Sequence, residues 1–343
     1  AEIADFEINL EENLEEIRKE LSTGKYNLSR VKKLSRPKAL DPIEGAIVRE
    51  YFHLSVKDQV AWIAVVNAIG PELDKKMPPW SYGNRLYRAA WYEDKDLPTE
   101  PRLEIGPYRH STGNLYRRFQ HSWPLFRRHV LLTSKAMTSK NELKYSVSDD
   151  VSESLALVAG KKDKLRYFEK NYWKKGEASS DRFLYCASFD LKKFYPSINL
   201  DCVLENIVFY LGVEPSSKIA TLIASMLDFN ISIEDDYYEN NTGKIEESPS
   251  YCTGLPTGLF VAGFLANVAM LKIDEEAEDK IAKNRNVSHF RFVDDHTAIS
   301  YSFESLCEWI QWYKTALDRH RIGAEINNDK YDPASLCRVF EDV

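Results

Sequence analysis

The residues of this sequence best suited to chemistry are three aspartates at the ends of predicted strands. Asp190 follows the apolar run FLYCASF, which is typical of a buried strand, and Asp294-Asp295 lies between two further strand-like runs, HFRFV and TAISY. If these strands are neighbours in one sheet, the strand end and the hairpin turn bring three carboxylates together. Such hard oxygen ligands suit a pair of magnesium ions, the usual catalyst of phosphoryl transfer. An isolated Asp-Asp pair is more often a plain polar turn, so this interpretation depends on the neighbouring sequence.

The surrounding sequence predicts the elements that must position these aspartates. The charged segment 1–34 is expected to be a helix, and the sequence pattern predicts further helices over 56–68, 201–211, 257–281 and 303–321, with a final strand or loop over 322–330. Proline in Ser35-Arg36-Pro37 predicts a boundary near residue 35, and Gly70-Pro71 is expected to end the second helix. The segment 257–281 is expected to be one long helix, buried along its first half. A hairpin tip is predicted at 241–243.

Composition narrows the class of protein. With 43% hydrophobic and 12% aromatic residues, the chain of 343 residues can bury a sizeable core. It contains no run of about 18 uncharged apolar residues, and its start lacks the features of a signal peptide, so a cytoplasmic protein without membrane insertion is expected. The five cysteines form no CxxC pair or Cys/His cluster, which argues against a disulfide framework and a structural zinc site.

Charge is distributed unevenly along the chain. The net charge of -7 argues against a protein that coats nucleic acid nonspecifically. The stretch 161–175, however, sets seven basic residues against two acidic ones among aromatic residues, and 116–129 places four arginines beside Phe119, Trp123 and Phe126. Such mixtures suit stacking on bases together with contact to phosphates. The simpler alternative is an amphipathic helix with a solvated basic face.

The aspartates stand within longer segments that occur in a characteristic order. Residues 190–198 (DLKKFYPSI) resemble motif A of the reverse transcriptase family, and 292–295 (FVDD) resemble its aromatic-x-Asp-Asp hairpin. The resemblance implies that Asp190 and Asp294 are primary metal ligands and that Asp295 supports them.

Two further residues take roles from the same resemblance. Tyr195 occupies the position whose aromatic side chain blocks a ribose 2′ hydroxyl, which implies selection of deoxynucleotides. Residues 326–330 (INNDK) resemble motif D, which implies that Lys330 acts as general acid near the pyrophosphate. The alternatives are that Tyr195 is a core tyrosine and that Lys330 is a surface lysine.

Between these segments lies a likeness to motif B, which positions the templating base and the incoming sugar. It comprises 254–258 (GLPTG) and the later 265–267 (LAN), and its glycine and proline permit close backbone approach. Thr253 and Gly258 replace the family's common glutamine and serine, and Leu-Ala-Asn comes about one helical turn later than usual. The run GLPTGLFVAGFLAN is most similar to bacterial abortive-infection and other phage-defence reverse transcriptases. Some of these polymerise without a conventional template and prime from protein.

The preceding part of the chain resembles the family's fingers more weakly. Residues 54–60 (LSVKDQV) and 81–85 (SYGNR) follow the family's order, which implies that Lys57 and Arg85 contact triphosphate or template phosphates. The alternative is that both are solvated charges. The expected substrate-binding residues are Leu191, Tyr195, Gly254, Pro256, Thr257, Lys57 and Arg85.

The resemblance implies an α+β fold with a right-hand polymerase palm, a small antiparallel sheet with helices on one face, and largely helical fingers. The expected domains are an N-terminal helical extension (1–35), fingers with a basic insert (36–182) and the palm (183–343), with no evident thumb. The cofactor expected is a pair of Mg²⁺ ions, with Mn²⁺ as an alternative.

The expected activity is that of an RNA-directed DNA polymerase in antiphage defence, which adds dNTPs to a primer 3′ hydroxyl or to a protein hydroxyl. The expected partners are dNTPs, an RNA or DNA template and primer, a noncoding RNA, and a second copy or partner subunit. One alternative is an RNA-synthesising palm enzyme, against which Tyr195 argues. The other is a catalytically idle RNA- or protein-binding scaffold. Three converging aspartates argue against a scaffold, because their mutual repulsion is costly.

Overall fold

The structure is a computed structural model that describes residues 2–41, 45–92, 103–108, 114–138, 184–232, 254–283, 286–327 and 338–339. The helices are α1 (Glu2–Ile8), α2 (Leu10–Thr23), α3 (Val56–Asp74), α4 (Phe119–Thr138), α5 (Phe194–Ser197), α6 (Leu200–Leu211), α7 (Lys218–Met226), α8 (Ala262–Ala269), α9 (Leu271–Lys283) and α10 (Phe303–Arg319). The strands are β1 (Val31–Asp41), β2 (Gly45–His53), β3 (Arg88–Tyr92), β4 (Leu103–Tyr108), β5 (Leu184–Lys192), β6 (Ile231–Ser232), β7 (Val287–Phe292), β8 (Asp295–Ser300), β9 (Glu325–Ile326) and β10 (Arg338–Val339).

The chain divides into two compact units, each made from two separate stretches. Unit 1 comprises Ala1–Leu73 and Lys193–Ala269, and unit 2 comprises Asp74–Lys192 and Met270–Val343. This division by contacts is of a different kind from the expected division into extension, fingers and palm, with boundaries near residues 35 and 182. The expected division stays a prediction.

Unit 1 contains a three-stranded sheet in the order β2-β1-β6. β1 pairs antiparallel with β2 and parallel with β6. In its apolar core, the rings of Trp62 and Phe229 stack with centroids 6.3 Å apart. Asp58 in the first turn of α3 is buried, and it accepts hydrogen bonds from the Tyr26 hydroxyl (3.1 Å) and the Ser55 hydroxyl (2.6 Å). These bonds satisfy a buried carboxylate and tie the start of α3 to the segment after α2.

Unit 2 is built on an antiparallel sheet in the order β10-β5-β8-β7, in which β9 also pairs with the C-terminal end of β5. The register places Phe189 opposite His296 and Asp190 opposite Asp295 across β5 and β8. It also places Phe292 of β7 opposite Asp295. Directly opposed side chains lie on the same face and successive ones alternate. Asp190, Asp295 and Phe292 therefore share one face of the sheet, and Phe189 and His296 share the other.

The face that carries His296 packs on α9 and α10. The indole nitrogen of Trp309 in α10 donates to His289 Nδ1 at 3.0 Å. His289 therefore holds its proton on Nε2, from which it donates to His296 Nδ1 at 3.2 Å. Arg291 in β7 forms a fully buried ion pair with Asp274 in α9. These polar contacts hold β7 and β8 in position on the face of the sheet opposite Asp190 and Asp295.

The opposite face, which carries Asp190 and Asp295, is met by α4. The Ser288 hydroxyl lies 3.8 Å from Met137 Sδ, and the rings of Trp123 and Phe292 meet edge to face at 5.0 Å. The sheet therefore has helices on both sides, with α4 on the face that carries these two aspartates. Mixed helices and small antiparallel sheets confirm the α+β class.

The N-terminal part differs from the sequence-based expectation. Helix α2 ends at Thr23, where Gly24 adopts a φ of 83° that favours glycine, so the predicted helix over 1–34 is wrong. Strand β1 then passes through Ser35-Arg36-Pro37, where a boundary was predicted. The register with β2 shifts between Pro37 and Ala39, and such an irregularity accommodates a residue that has no N–H to donate.

Two predicted helices also have different ends. Helix α3 continues through Pro71 to Asp74, because burial of Ile69 and Leu73 outweighs the cost of one lost helical hydrogen bond. The long helix predicted over 257–281 is instead α8 and α9, separated at Met270. The buried Asn206 amide donates to the carbonyls of both Val268 and Ala269 at 3.0 Å, which satisfies carbonyl groups at the end of α8.

The other predicted elements close to the aspartates are confirmed. They are the strand before Asp190, the helix over 201–211, the hairpin around 294–295 and the helix that begins at Phe303. The hairpin tip predicted at 241–243 and the basic stretch 161–175 lie outside the described residues.

Candidate active site

The backbone brings Asp190 and the hairpin turn together. Asp190 lies directly opposite Asp295, and the Leu191 N–H donates to the Asp294 carbonyl at 3.1 Å. The Cβ atoms of such opposed residues are about 4.5–5.5 Å apart. Asp190 and Asp294 are half-buried and Asp295 is exposed, whereas the Leu191 side chain is buried. The placement of the three aspartates at a strand end and in a hairpin turn therefore predicted their proximity. Their roles in metal binding and catalysis stay predictions.

The turn that carries Asp294 is conformationally strained. Val293 and Asp294 form a two-residue loop between the paired residues Phe292 and Asp295, and Val293 has a φ of 61°. Asp294 does not share the positive φ, so the loop has the pattern of a type II′ turn. Positive φ is unusual for a β-branched residue, and it costs on the order of 1–3 kcal/mol. The surroundings of Val293 must therefore hold the turn in place.

The SYGNR segment supplies that support within unit 2. The Tyr82 N–H donates to the Arg291 carbonyl, and the Arg291 N–H donates to the Trp80 carbonyl, each at 2.9 Å. Gly83 then lies against the turn: a Cβ added there would meet Val293 Cγ2 far inside van der Waals contact, and Phe292 Cδ1 at 3.1 Å. Sequence reasoning gave Gly83 no role, because the turn that it contacts lies about two hundred residues away in the sequence. Glycine is the residue that permits such a close approach.

Asn327 supports Asp190 from the neighbouring strand. Its backbone N–H donates to the Asp190 carbonyl at 2.8 Å, and its side-chain amide donates to Asp190 Oδ2 at 3.3 Å. Asn327 follows β9, whose pairing with Leu191 and Lys192 places it there. It belongs to the INNDK segment, of which only Lys330 was expected to have a role, and Lys330 lies outside the described residues.

The segments resembling the end of motif A and the start of motif B meet in unit 1. The Leu255 N–H donates to the Tyr195 carbonyl at 2.9 Å. A Cβ on Gly254 would lie 2.7 Å from the Tyr195 carbonyl oxygen and 2.5 Å from the Pro196 carbonyl carbon. The close backbone approach expected of Gly254 is therefore present. Tyr195 itself is half-buried, in α5.

The rest of the motif B loop is held by the end of β2 and the start of α3. The Phe52 N–H donates to the Thr257 carbonyl at 2.7 Å, and Gly258, with a φ of 124°, packs against the Phe52 carbonyl. The Gln59 side chain donates to the Gly258 carbonyl at 3.1 Å and accepts from the Phe260 N–H at 2.9 Å. Gln59 was not predicted to have a role. Pro256 is buried in this loop.

The two basic residues expected to contact phosphates both have acidic partners. Arg85 is 9% exposed, and it uses all five of its N–H groups for Asp74 and for the Pro78 and Ser81 carbonyls. Burial alone would raise the pKa of Asp74, but the charge and hydrogen bonds of Arg85 outweigh it and hold that pKa below its usual value. In this structure Arg85 has no donor left for a phosphate, so it fixes the SYGNR segment instead.

Lys57 lies in unit 1 and bridges α3 to α2. Its ammonium group is 2.8 Å from Glu20 Oε1 and 3.0 Å from Glu16 Oε2. The hydrogen bond to Glu20 raises the pKa of Lys57. Contact with a phosphate would require the lysine to leave these two carboxylates.

The donor chemistry of the aspartates fits a hard divalent cation. In the described ranges, no group of three or more His, Cys, Asp or Glu side chains stands close enough to hold a metal ion by itself. Magnesium at nucleotide-transferring sites usually takes one or two protein carboxylates and completes its shell with phosphate oxygens and water. Asp190 and Asp295 on one face, with Asp294 in the adjoining turn, suit a site of that kind. Among the helices described, none combines the length and apolar character needed to cross a bilayer.

Comparison with known families decides the assignment. The family described as Reverse transcriptase (RNA-dependent DNA polymerase) matches residues 149–335, more than half of the 343-residue chain. The chain belongs to the reverse transcriptase family. The antiparallel sheet that carries Asp190 and the 294–295 turn is accordingly the palm of this reverse transcriptase. The finer likeness to the abortive-infection group is not tested by this match.

Solved telomerase structures show a more distant similarity. Apo telomerase from Candida tropicalis is 12% identical, with a TM-score of 0.37, over 88% of this chain and 53% of that chain. Its form truncated from the C-terminal domain is 13% identical, with a TM-score of 0.33, over 82% and 56%. Telomerase from Candida albicans in complex with a TWJ fragment of telomeric RNA is 12% identical, with a TM-score of 0.34, over 84% and 47%. The reverse transcriptase chain thus spans about half the length of these telomerases. Among curated proteins, none matches it.

Proposed function

We propose that this chain is an RNA-directed DNA polymerase whose palm binds two divalent cations through Asp190, Asp294 and Asp295. Family membership supports the reaction class, and the position of Asp190 directly opposite Asp295 carries the site assignment. Like charges directly opposite each other destabilise a pair of strands. A bound cation removes that cost, which gives a physical reason for two carboxylates at this register position.

The proposed reaction joins a primer 3′ hydroxyl to a deoxynucleoside triphosphate. The hydroxyl gives up its proton to solvent and its oxygen bonds to the α-phosphorus, the bond from that phosphorus to the bridging oxygen breaks, and pyrophosphate leaves. Two ions bound by the aspartates would stabilise the charge that develops on the transferring group. Lys330 is proposed to give a proton to the leaving pyrophosphate, as its likeness to the motif D lysine implies.

Selection of the nucleotide is proposed to depend on Tyr195. An aromatic ring at this motif A position excludes a ribose 2′ hydroxyl, so we expect dNTPs rather than rNTPs. Leu191, Gly254, Pro256 and Thr257 keep the substrate-binding roles that motifs A and B imply. We propose Mg²⁺ as the physiological ion and Mn²⁺ as a substitute, because both accept carboxylate oxygen ligands.

The biological setting is proposed from motif B. The run from Gly254 to Asn267 is similar to phage-defence reverse transcriptases, so we place the activity in antiphage defence. Some of those enzymes prime from protein or work without a conventional template, and the test below therefore includes reactions without nucleic acid.

The test is incorporation of labelled nucleotides by the purified chain with Mg²⁺ or Mn²⁺, with and without an RNA template and DNA primer. We expect DNA synthesis from dNTPs, little product from rNTPs, and loss of incorporation in Asp190→Asn and Asp294→Asn with nearly unchanged melting temperatures. The matched control is Asp279→Asn, which neutralises an exposed aspartate of α9 and should retain full activity.

Each contrary outcome identifies a different error. Wild-type activity in Asp190→Asn or Asp294→Asn would overturn the metal assignment. Preference for rNTPs would indicate an RNA-synthesising palm enzyme. Absence of product from either nucleotide set, with both metals and with or without template, would favour the idle scaffold.

A further inference from the structure

Three aromatic rings form a continuous cluster beside the aspartates of unit 2. The rings of Phe119 and Trp123, one turn apart in α4, are nearly parallel (14°) with centroids 5.9 Å apart. Each meets the ring of Phe292 edge to face, at 5.7 Å for Phe119 and 5.0 Å for Trp123. Edge-to-face and offset parallel contacts are the favourable arrangements of aromatic rings, so this cluster, here termed the aromatic platform, is well ordered by its own contacts.

The platform is anchored at its base. Buried Phe126 lies 5.3 Å from Trp123 and 5.9 Å from Phe292, and it also meets the Tyr82 ring at 5.4 Å. Phe119 is exposed, Trp123 is half-buried and Phe126 is buried. The exposed ring of Phe119 therefore projects from packed neighbours.

The platform borders the carboxylates. Phe292 is directly opposite Asp295, and it is followed by the turn that carries Asp294. The sheet register places Phe292, Asp295 and Asp190 on one face, as described above. A group stacked on the platform would therefore stand beside the aspartates, on their side of the sheet.

The open end of the platform is exposed. Phe119 is 62% exposed, although burial of a phenyl ring is favourable. Arg118, next to it in the chain, and Arg127, one turn after Trp123, are also exposed. An exposed aromatic ring with exposed arginines nearby in the same segment suits single-stranded nucleic acid, in which unpaired bases stack while phosphates contact cations. Such a ring does not match a duplex, whose base faces are covered by neighbouring base pairs.

We propose that the aromatic platform binds single-stranded nucleic acid by stacking one unpaired base on Phe119, with Arg118 and Arg127 contacting the adjacent phosphates. The identification of this strand as an unpaired primer, as in synthesis without a conventional template, held with its 3′ end toward Asp190 and Asp295, rests on the proposed polymerase function. The stacking site itself rests only on the contacts, exposure and charge of α4 and Phe292.

The test measures binding of a fluorescein-labelled oligodeoxythymidine to the full chain by anisotropy, in EDTA and in the Asp190→Asn background. Loss of one base–aromatic stack should weaken binding, so Phe119→Ala is expected to raise Kd roughly 5- to 150-fold. Phe119→Trp should restore binding, because a larger ring offers a larger stacking face. Phe209→Ala is the matched control: Phe209 is 63% exposed on α6 of unit 1, and its removal should leave Kd unchanged.

An abasic oligonucleotide of the same length separates stacking from charge. It should bind more weakly than oligodeoxythymidine and be insensitive to Phe119→Ala, whereas Arg127→Gln should weaken both ligands. Equal Kd values for wild type and Phe119→Ala would overturn the proposal, as would an equal loss in Phe209→Ala. So would a finding that Phe119→Ala alters only self-association in sedimentation, which would make the platform a protein contact.

Failure of this proposal is distinguishable from failure of the proposed function. Binding in EDTA by an Asp190→Asn variant requires no catalysis, so a chain that incorporates no nucleotide can still show Phe119-dependent binding. Conversely, normal nucleotide incorporation together with an oligonucleotide Kd that Phe119→Ala leaves unchanged would overturn only the proposed stacking site.

Discussion

The contact between Gly83 and the turn formed by Val293 and Asp294 yields the sharpest prediction. A Cβ at residue 83 would fall far inside contact distance of Val293 Cγ2. Carbon atoms rest about 3.5–4.0 Å apart, so the valine would have to withdraw by about 1 Å. Val293 precedes Asp294 in a two-residue turn, so this displacement would be passed to the aspartate. A misplacement of about 1 Å at a reacting centre can reduce the rate on the order of 100-fold.

We therefore expect Gly83→Ala to lower kcat for dNTP incorporation about 100-fold. The free energy of unfolding should fall by only about 1–3 kcal/mol, as is usual for overpacking. The assay is single-turnover incorporation with saturating primer, alongside urea unfolding. Gly212→Ala serves as the matched control: its φ of 63° makes alanine strained there, but a Cβ would meet nothing within 4 Å. It should lose stability and keep its activity per folded molecule.

A second substitution tests whether the contact is the cause. Val293→Ala removes the clashing methyl group, so Gly83→Ala in that background should cost less than about tenfold in kcat, the remaining contact being with Phe292. Full activity of Gly83→Ala, or equal losses in both backgrounds, would refute the reasoning.

Three further predictions concern the support of the site and the stability of the fold. Asn327→Ala removes a hydrogen bond to the Asp190 carboxylate, so the Mg²⁺ concentration for half-maximal activity should rise about 10-fold or more; an unchanged Mg²⁺ titration would contradict this role. Gly254→Ala should lower the free energy of unfolding by about 1–3 kcal/mol or more, because the new Cβ meets rigid backbone. An unchanged urea midpoint would argue against that packing. Burial lowers the pKa of His129 and His289 to about 3. The unfolded chain therefore binds protons that the folded chain excludes, and stability is lost as pH falls below about 6.5. At pH 5 each histidine should lower the free energy of unfolding by about 2 kcal/mol. In His129→Gln the slope of this free energy against pH, measured by urea unfolding, should be smaller by the contribution of one bound proton.

Much of the palm could be predicted because its signals are local. The apolar run before Asp190, the two runs around Asp294 and the break between them depend on neighbouring residues, and the structure has them as β5, β7 and β8. The register that sets Asp190 opposite Asp295 follows once these strands pair. Strand pairing thus brings residues that local patterns place at strand ends together in one site.

The misses arise where distant residues decide the outcome. Arg85 has the charge and the hydrogen-bond donors of a phosphate ligand. Only the fold shows that its guanidinium group forms an ion pair with Asp74. The break at Met270 coincides with carbonyls bound by Asn206, which is more than sixty residues away in sequence. The contact of Asn327 with Asp190 likewise depends on a two-residue strand that no periodicity could indicate.

The alternation of the chain between its two units has a consequence for synthesis on the ribosome. The first stretch of unit 1 ends at Leu73, and its partner stretch is complete only at Ala269. At about 5–20 residues per second, this interval corresponds to roughly 10–40 s during which apolar side chains such as Trp62 lack their final neighbours. We therefore expect apolar side chains of the nascent polypeptide to stay exposed for longer than in a chain whose units follow each other in order, and its yield to be sensitive to translation speed.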